Sequence, residues 1–347
     1  MDLTFRNMQE NKVSIAFLGL IVVFIAGVLL RLAKPVLFPF FLAIFISFVL
    51  YPVLDFLTRL KIPKAVSILF ILFITFFVLY LLGVLFYSSG KAFASEFPKY
   101  GQKISSILVS LEEKFRLTPL KWDPLEWVGQ LDISKIGSLV LASLGPFFSF
   151  ISNLFLILIF LIFILAGRGK TKAKIQNSFE EKRAKKITEV IKNIDNQIQK
   201  YLAIKTVVSF FTGLFATVVL LIFGVDFAIV FGFLTFLLNY IPNIGSIVAT
   251  ALPVLIATFQ FETFWPAFWI LIILGSIQML MGNFVEPKLM GQGLGLSPLV
   301  VLFSLFFWGW LWGIPGMILA VPIAAVIKIV CSNITSLEFV GELMSKG

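Results

Sequence analysis

Three apolar runs stand almost end to end at the start of this chain: Val13–Leu32, Val36–Leu57 and Ala65–Tyr87. Each is close to the ~20 residues that a helix needs to cross ~30 Å of hydrocarbon. In that medium a backbone must satisfy its own hydrogen bonds, so runs of this length are helices. Composition agrees, because 59% of the residues are apolar and only 13% charged, where a soluble domain carries about a quarter charged. The sequence therefore predicts an all-α polytopic membrane protein. The first run lacks an A-x-A-like cleavage site and is followed at once by further spans, so it reads as a retained helix rather than a signal peptide.

Charge sets the orientation. Arg6 and Lys12 precede the first span, Arg59, Lys61 and Lys64 mark the turn after the second, and both places read as cytoplasmic. Much of the net charge of +10 lies between Gly167 and Tyr201, which follows a fourth span from about Pro146 to Ala166. That basic stretch is cytoplasmic by the same rule, and Ile187, Ile191, Ile194, Ile198 and Tyr201 recur in it at helical spacing. Such a helix suits anionic inner-leaflet lipid. It carries no base-stacking or groove-reading motif, so a nucleic-acid partner is not expected. The words GRGKT, Gly167 to Thr171, fail as a phosphate-binding loop, because the position that requires the first glycine is Ile164, inside a membrane helix.

Between Ser88 and Ser143 acidic and basic residues nearly balance, which places the segment outside. Phe93, Phe97, Tyr100, Ile104, Ile107 and Leu111 alternate spacings of four and three, an apolar helical seam. It either lies on its own protomer or the membrane surface, or meets another subunit. Trp122 and Trp127, beside Pro119 and Pro124, read as interfacial anchors.

After a fifth span, Leu202 to Phe223, with Lys205 close enough to its end to snorkel, the pattern changes. Phe227–Ile241 and Ser246–Phe259 are too short to cross alone and flank Pro242, Asn243 and Gly245, the tip of a broken helical hairpin. A sixth full span, Trp265–Val285, follows, and then a Gly-rich connector leads to a second pair of short runs, Leu299–Trp312 and Ile314–Val330, around Gly313, Pro315 and Gly316. The aromatic lead-ins FLTFLLNYIP (Phe233–Pro242) and FSLFFWGWLWGIP (Phe303–Pro315) are alike. The plan is about six full transmembrane helices plus two Pro/Gly-broken hairpins, which parity places in opposite orientations.

Inverted units with short, interrupted segments in matching positions point to a secondary transporter with its site between the two tips, near the midplane. A broken helix exposes backbone donors and acceptors where water is scarce. The candidate solute pathway is Asn239, Pro242, Asn243, Gly245, Pro253, Gln278, Asn283, Gly313, Pro315, Gly316 and Pro322. A bundle in which prolines merely kink helices and asparagines merely bridge them is the plainer reading of each break taken alone. Glu286 is either an interfacial charge paired with Lys288 or an ion-coupling or gating acid. Asp226, at the outer end of the fifth span, is its more interfacial counterpart.

With no histidine and a single cysteine, Cys331, the chain excludes Ser-His and Cys-His catalysis, an intrachain disulfide and a cysteine metal cluster. No catalytic residue, metal or cofactor is expected.

NYIPNIGSIVATALP (Asn239–Pro253), GNFVEPKLMGQGLGLSPLVVLFSLF (Gly282–Phe306) and GIPGMILAVPIAAVIK (Gly313–Lys328) resemble the hallmark run of the AI-2E transporters, the autoinducer-2 exporter-like permeases. The likeness is dense from about Leu202 to Val330 and extends as a hydropathy plan over nearly the whole chain. It implies an inner-membrane transport protein and homo-oligomer, with quorum-signal export assigned to some members and sodium/proton antiport to others.

The expected organisation is a three-helix membrane region (1–87), an external amphipathic region (88–143), a fourth transmembrane helix (144–166), a basic cytoplasmic segment (167–201), a transport core (202–330) and a cytoplasmic tail (331–347). The expected function is export or permeation of a small polar solute, autoinducer-2-like signals included, by a secondary or facilitated mechanism. A sodium (lithium)/proton antiporter and a membrane scaffold that recruits partners are the alternatives. Both termini are expected in the cytoplasm of a bacterial cell.

Overall fold

The computed structural model describes residues 21–22, 25, 27–115, 154–167, 170–291, 294–334 and 337–346. The first span up to Leu20, the tryptophan loop, the start of the fourth span and the Arg168–Gly169 pair of the GRGKT stretch lie outside them. Among the described residues the elements are helical, apart from one isolated bridge between Leu296 and Ser345. In chain order these are α1 (Lys34–Arg59), α2 (Lys64–Phe115), α3 (Leu154–Gly167), α4 (Lys170–Ser178), α5 (Glu181–Ile222), α6 (Ala228–Leu238) and α7 (Ile244–Gln260). They continue as α8 (Trp265–Met290), α9 (Pro298–Trp312), α10 (Ile314–Ser332) and α11 (Glu338–Leu343).

Five of these helices contain stretches long and apolar enough to cross a membrane: α1, α2, α5, α8 and α10. The chain is thus an all-α polytopic membrane protein, as the composition requires. Large exposed apolar side chains such as Phe73, Phe163, Ile222 and Phe303 fit this reading, since their helix faces suit lipid rather than water.

Two helices run through boundaries that composition predicts. The third span and the external seam are one helix, α2, 52 residues long, a rod of about 78 Å. The basic segment begins with the separate helix α4, but from Glu181 onward it and the fifth span are likewise one helix, α5, of 42 residues, or about 63 Å. α5 carries no proline, and α2 runs on through Gly90 and Pro98 without ending, so a change of hydropathy by itself stops neither helix. The Ile187–Tyr201 face is therefore the first half of the same helix that carries the fifth span.

The chain divides into two compact units, Ser47–Leu294 on the one hand and Met1–Ile46 with Gly295–Gly347 on the other. In the larger unit the core joins α5, α6, α7 and α8 through Ala216, Leu220, Ala228, Phe231, Ile256, Ala257, Ile270 and Leu274. Phe93, the first residue of the α2 seam, sets its ring edge-on to Phe227 at 5.8 Å and packs against this core. Lys64 donates to the Ala166 carbonyl at 3.1 Å, so the start of α2 and the end of α3 share one end of the bundle.

In the smaller unit α9 and α10 form the second hairpin. The chain end is folded onto this unit rather than free. Ser297 N–H donates to Met344 O and Lys346 N–H to Gly295 O, each at 2.9 Å. Lys328 Nζ donates to the same Gly295 carbonyl at 2.6 Å. The expected tail from 331 is thus a docked element, with Gly341 of α11 lying directly against Ser332.

Candidate functional site

The first hairpin is α6 and α7, with its tip at Asn239–Asn243. Its two arms close because Gly245 has no side chain; a Cβ there would fall on the Leu238 carbonyl. Pro242 O accepts from Ile244 N–H at 2.7 Å, while Asn243 sits at φ 60 and ψ −59. That is a γ-turn of the rare, strained, positive-φ kind. α6 in turn lies against α5 where Gly213 and Gly232 meet, each occupying the space the other's Cβ would need.

At the base of this hairpin Gln260 accepts from Asp226 N–H at 2.8 Å and donates to Gly224 O at 2.7 Å. At its tip the contacts are with the other end of α5's apolar stretch. Asn239 Nδ2 donates to Ser209 Oγ at 3.0 Å, and Tyr240 OH donates to Thr206 Oγ1 at 2.7 Å. The tip therefore reaches the level of Thr206 to Ser209, because α6 lies antiparallel to α5 along most of Leu202–Phe223.

One residue before Thr206, Lys205 contacts both carboxylate oxygens of Glu286 at 2.7 and 2.8 Å. The lysine side chain is 6% exposed and the glutamate 17%. This corrects two expectations. Lys205 does not snorkel to the interface, and Glu286 pairs with it rather than with the exposed Lys288. The pair forms because α8 changes register. A π turn spans Leu280–Val285, and Glu286 N–H bonds back to Met281 O. Pro287, which has no N–H to give to Asn283 O, follows at once; such a residue disfavours regular α-helix there. π turns inside helices recur at functional sites.

Two separate segments, the first tip and the end of α8, thus converge on one stretch of α5, with Lys205, Thr206 and Ser209 receiving Glu286, Tyr240 and Asn239 in turn. Every one of these polar side chains has a partner, and among the described residues no buried side-chain nitrogen or oxygen lacks one. An ion pair in so dry a place gives little net stability, but removing one member costs roughly 3–5 kcal/mol by stranding the other.

Of the residues marked from sequence, the structure brings Asn239 and Glu286 to this belt, with Pro242, Asn243 and Gly245 forming the turn beside it. Pro253 is buried inside α7. Gln278 is half-buried on α8 and Asn283 is exposed in the π turn. Asp226 stands at the opposite end of the hairpin, and Lys205 is separated from that end by about 25 Å of α5. Sequence reading missed Lys205, Thr206, Ser209 and Tyr240 as site residues. A lysine followed by hydroxyls at helical spacing inside an apolar span was the available signal, since membrane interiors tolerate such groups only in company.

The second hairpin repeats the backbone device. Gly313, at φ +76 and ψ −154, separates α9 from α10, and a Cβ on Gly316 would meet the Trp308 carbonyl. Pro315 is exposed, and Pro322 is buried within α10 as Pro253 is within α7. Ser304 Oγ donates to Ala320 O at 2.9 Å and ties the two arms together. The surroundings are aromatic: Trp312 packs on Trp308 at 4.7 Å, Phe41 at 5.4 Å and Phe38 at 6.4 Å between ring centroids. α10 continues to Ser332 and is 19 residues long, so this arm alone is long enough to cross.

Among known proteins, the profile of the AI-2E family transporter matches residues 18–336. The AI-2 transport protein TqsA of Escherichia coli strain K12 is 31% identical over 331 residues, covering 95% of each chain. A Haemophilus influenzae protein named for transport is 35% identical over 332 residues, covering 93% of this chain and 92% of the relative. A Borreliella burgdorferi protein, also named for transport, is 30% identical over 339 residues, covering 96% of this chain and 91% of the relative.

Proposed function

Because this chain belongs to the AI-2E transporter family, we propose that it moves a small polar solute across the membrane along the polar belt of the first hairpin. It is a multi-pass membrane transport protein rather than an enzyme. The observation that carries the site is the convergence of Glu286, Tyr240 and Asn239 on Lys205, Thr206 and Ser209. A bundle that only needed kinks would have no use for a buried charge pair beside a strained turn.

In this reading Asn239, Asn243 and the open backbone of Pro242–Gly245 offer donors and acceptors to the solute, and Gly313, Pro315 and Gly316 provide the corresponding break of an inverted second unit. Glu286 couples or gates. The solute class includes autoinducer-2, which the name of the Escherichia coli relative specifies for that protein. The protein works as a homo-oligomer in a bacterial inner membrane with both termini cytoplasmic, and the basic start of α5 meets anionic headgroups where it leaves the bilayer.

Purified protein in liposomes loaded with autoinducer-2 and other small polar solutes tests this. Efflux above that of empty liposomes is expected, reduced at least tenfold by Asn239→Leu. Absence of flux for every solute would overturn it. The alternative, exchange of sodium or lithium for protons, draws on the same acid and predicts cation-driven proton movement that Glu286→Gln removes.

A further inference from the structure

The next inference rests on the transport reading and concerns the kind of group its site accepts. Lys205 and Glu286 are not equivalent members of their pair. Lys205 projects from within a continuous 42-residue helix and has 6% of its side chain exposed. Glu286 is more open at 17%, and it stands directly after the π turn, on a five-residue helical segment that ends at Gly291 with φ +64. Of the two, the glutamate is therefore built to move and the lysine to stay.

The lysine's hydrogen bonds both go to that one carboxylate. A buried ammonium with a single counter-charge cannot lose it without replacement, because an isolated charge in a dry interior is prohibitively unfavourable. Anything that draws Glu286 away must bring another anion to the same nitrogen. Within one helical turn of Lys205 the same stretch of α5 carries Thr206 and Ser209, bonded to Tyr240 and Asn239 of the first tip, and these hydroxyls and this amide are groups that can exchange one another for a solute's hydroxyls.

We propose that Glu286 is a resident substitute for the anionic group of the transported solute, and that the solute class is a small hydroxylated monoanion whose carboxylate or equivalent takes the place of Glu286 on Lys205. The exchange conserves charge at the lysine. One anion leaves toward water as the other arrives, so the site is neutral both empty and loaded, and loading itself frees the segment that follows the π turn.

Lactate serves as an anionic probe and lactamide as its neutral isostere, with thermal unfolding of the detergent-purified full-length protein as the readout at constant ionic strength. In Glu286→Gln the lysine has no resident anion, so lactate is expected to raise the unfolding temperature at concentrations at least tenfold lower than in the wild type. Lactamide should have no effect on either. The double variant Lys205→Met, Glu286→Gln should lose the lactate response. Glu286→Asp, which holds the lysine less closely, should show an intermediate gain and serves if the glutamine variant does not fold.

Equal responses to lactate and lactamide, no gain in either single variant, or a response that persists in the double variant would each overturn the proposal. A purely structural ion pair gives the second of these results. Because the assay reads binding without flux, its failure is distinct from a failure of transport in liposomes.

Discussion

At the first tip the residue that takes positive φ is Asn243; at the second it is Gly313. A glycine close behind each, Gly245 or Gly316, lets the following helix press against a carbonyl of the preceding one, Leu238 O or Trp308 O. A buried proline then sits well inside each second arm, Pro253 or Pro322. The backbone device is the same, but its setting differs. The first tip is held by hydroxyls, an amide and a neighbouring ion pair, and the second by a cluster of tryptophan and phenylalanine rings. A fold can therefore reuse a broken helix while assigning polar work to one copy and apolar packing to the other.

If the glycines are equivalent, Gly245→Val and Gly316→Val should both abolish folding, since each places a branched side chain on a fixed backbone carbonyl and overpacking of even a milder kind costs about 1–3 kcal/mol. Yield of monodisperse protein in detergent measures this, and a tolerated Gly316→Val would show that only the first hairpin needs the close approach. Next in size is Glu286→Ala, expected to destabilise by roughly 3–5 kcal/mol because Lys205 is left buried and unpaired. Lys205→Met combined with Glu286→Met should recover most of that loss, and the second hairpin has no pair among the described residues for which a comparable rescue is expected.

Backbone substitutions should separate the tips in sign. Gly313→Ala forces a side chain into a region of φ and ψ that is nearly glycine-only, costing about 1–3 kcal/mol. Asn243→Gly relieves a strained γ-turn and should raise the unfolding temperature while lowering solute flux, if the strain serves transport. Smallest is Tyr240→Phe, which removes one hydrogen bond to Thr206 and should cost about 1 kcal/mol of stability. Scanning calorimetry resolves it from the wild type if the transition is reversible.

Much of this molecule was legible as pattern. The second, third, fifth and sixth spans, the short paired arms and their turn residues follow from hydropathy and from Pro and Gly, because those signals are local. The arms fall within a few residues of the runs Phe227–Ile241 and Ser246–Phe259. Continuity was not legible: α2 and α5 cross sharp changes of polarity, and polarity controls where a helix lies, not where it stops. The ion pair was also hidden, since Lys205 and Glu286 are 81 residues apart and meet only because a π turn rotates the end of α8. Nothing in LMGNFV announces that turn except the proline after it.

The docked chain end has a mechanical consequence for the second hairpin. Backbone bonds from Ser297 to Met344 and from Lys346 to Gly295 join the strip of chain before α9 to the strip after α11, so the segment between them is a closed loop fastened at its neck. Its two arms cannot splay independently while that clasp holds. Whatever moves the start of α9 therefore carries the chain end with it through the Ser297–Met344 contact, and a chain shortened before Met344 would lose that fastening.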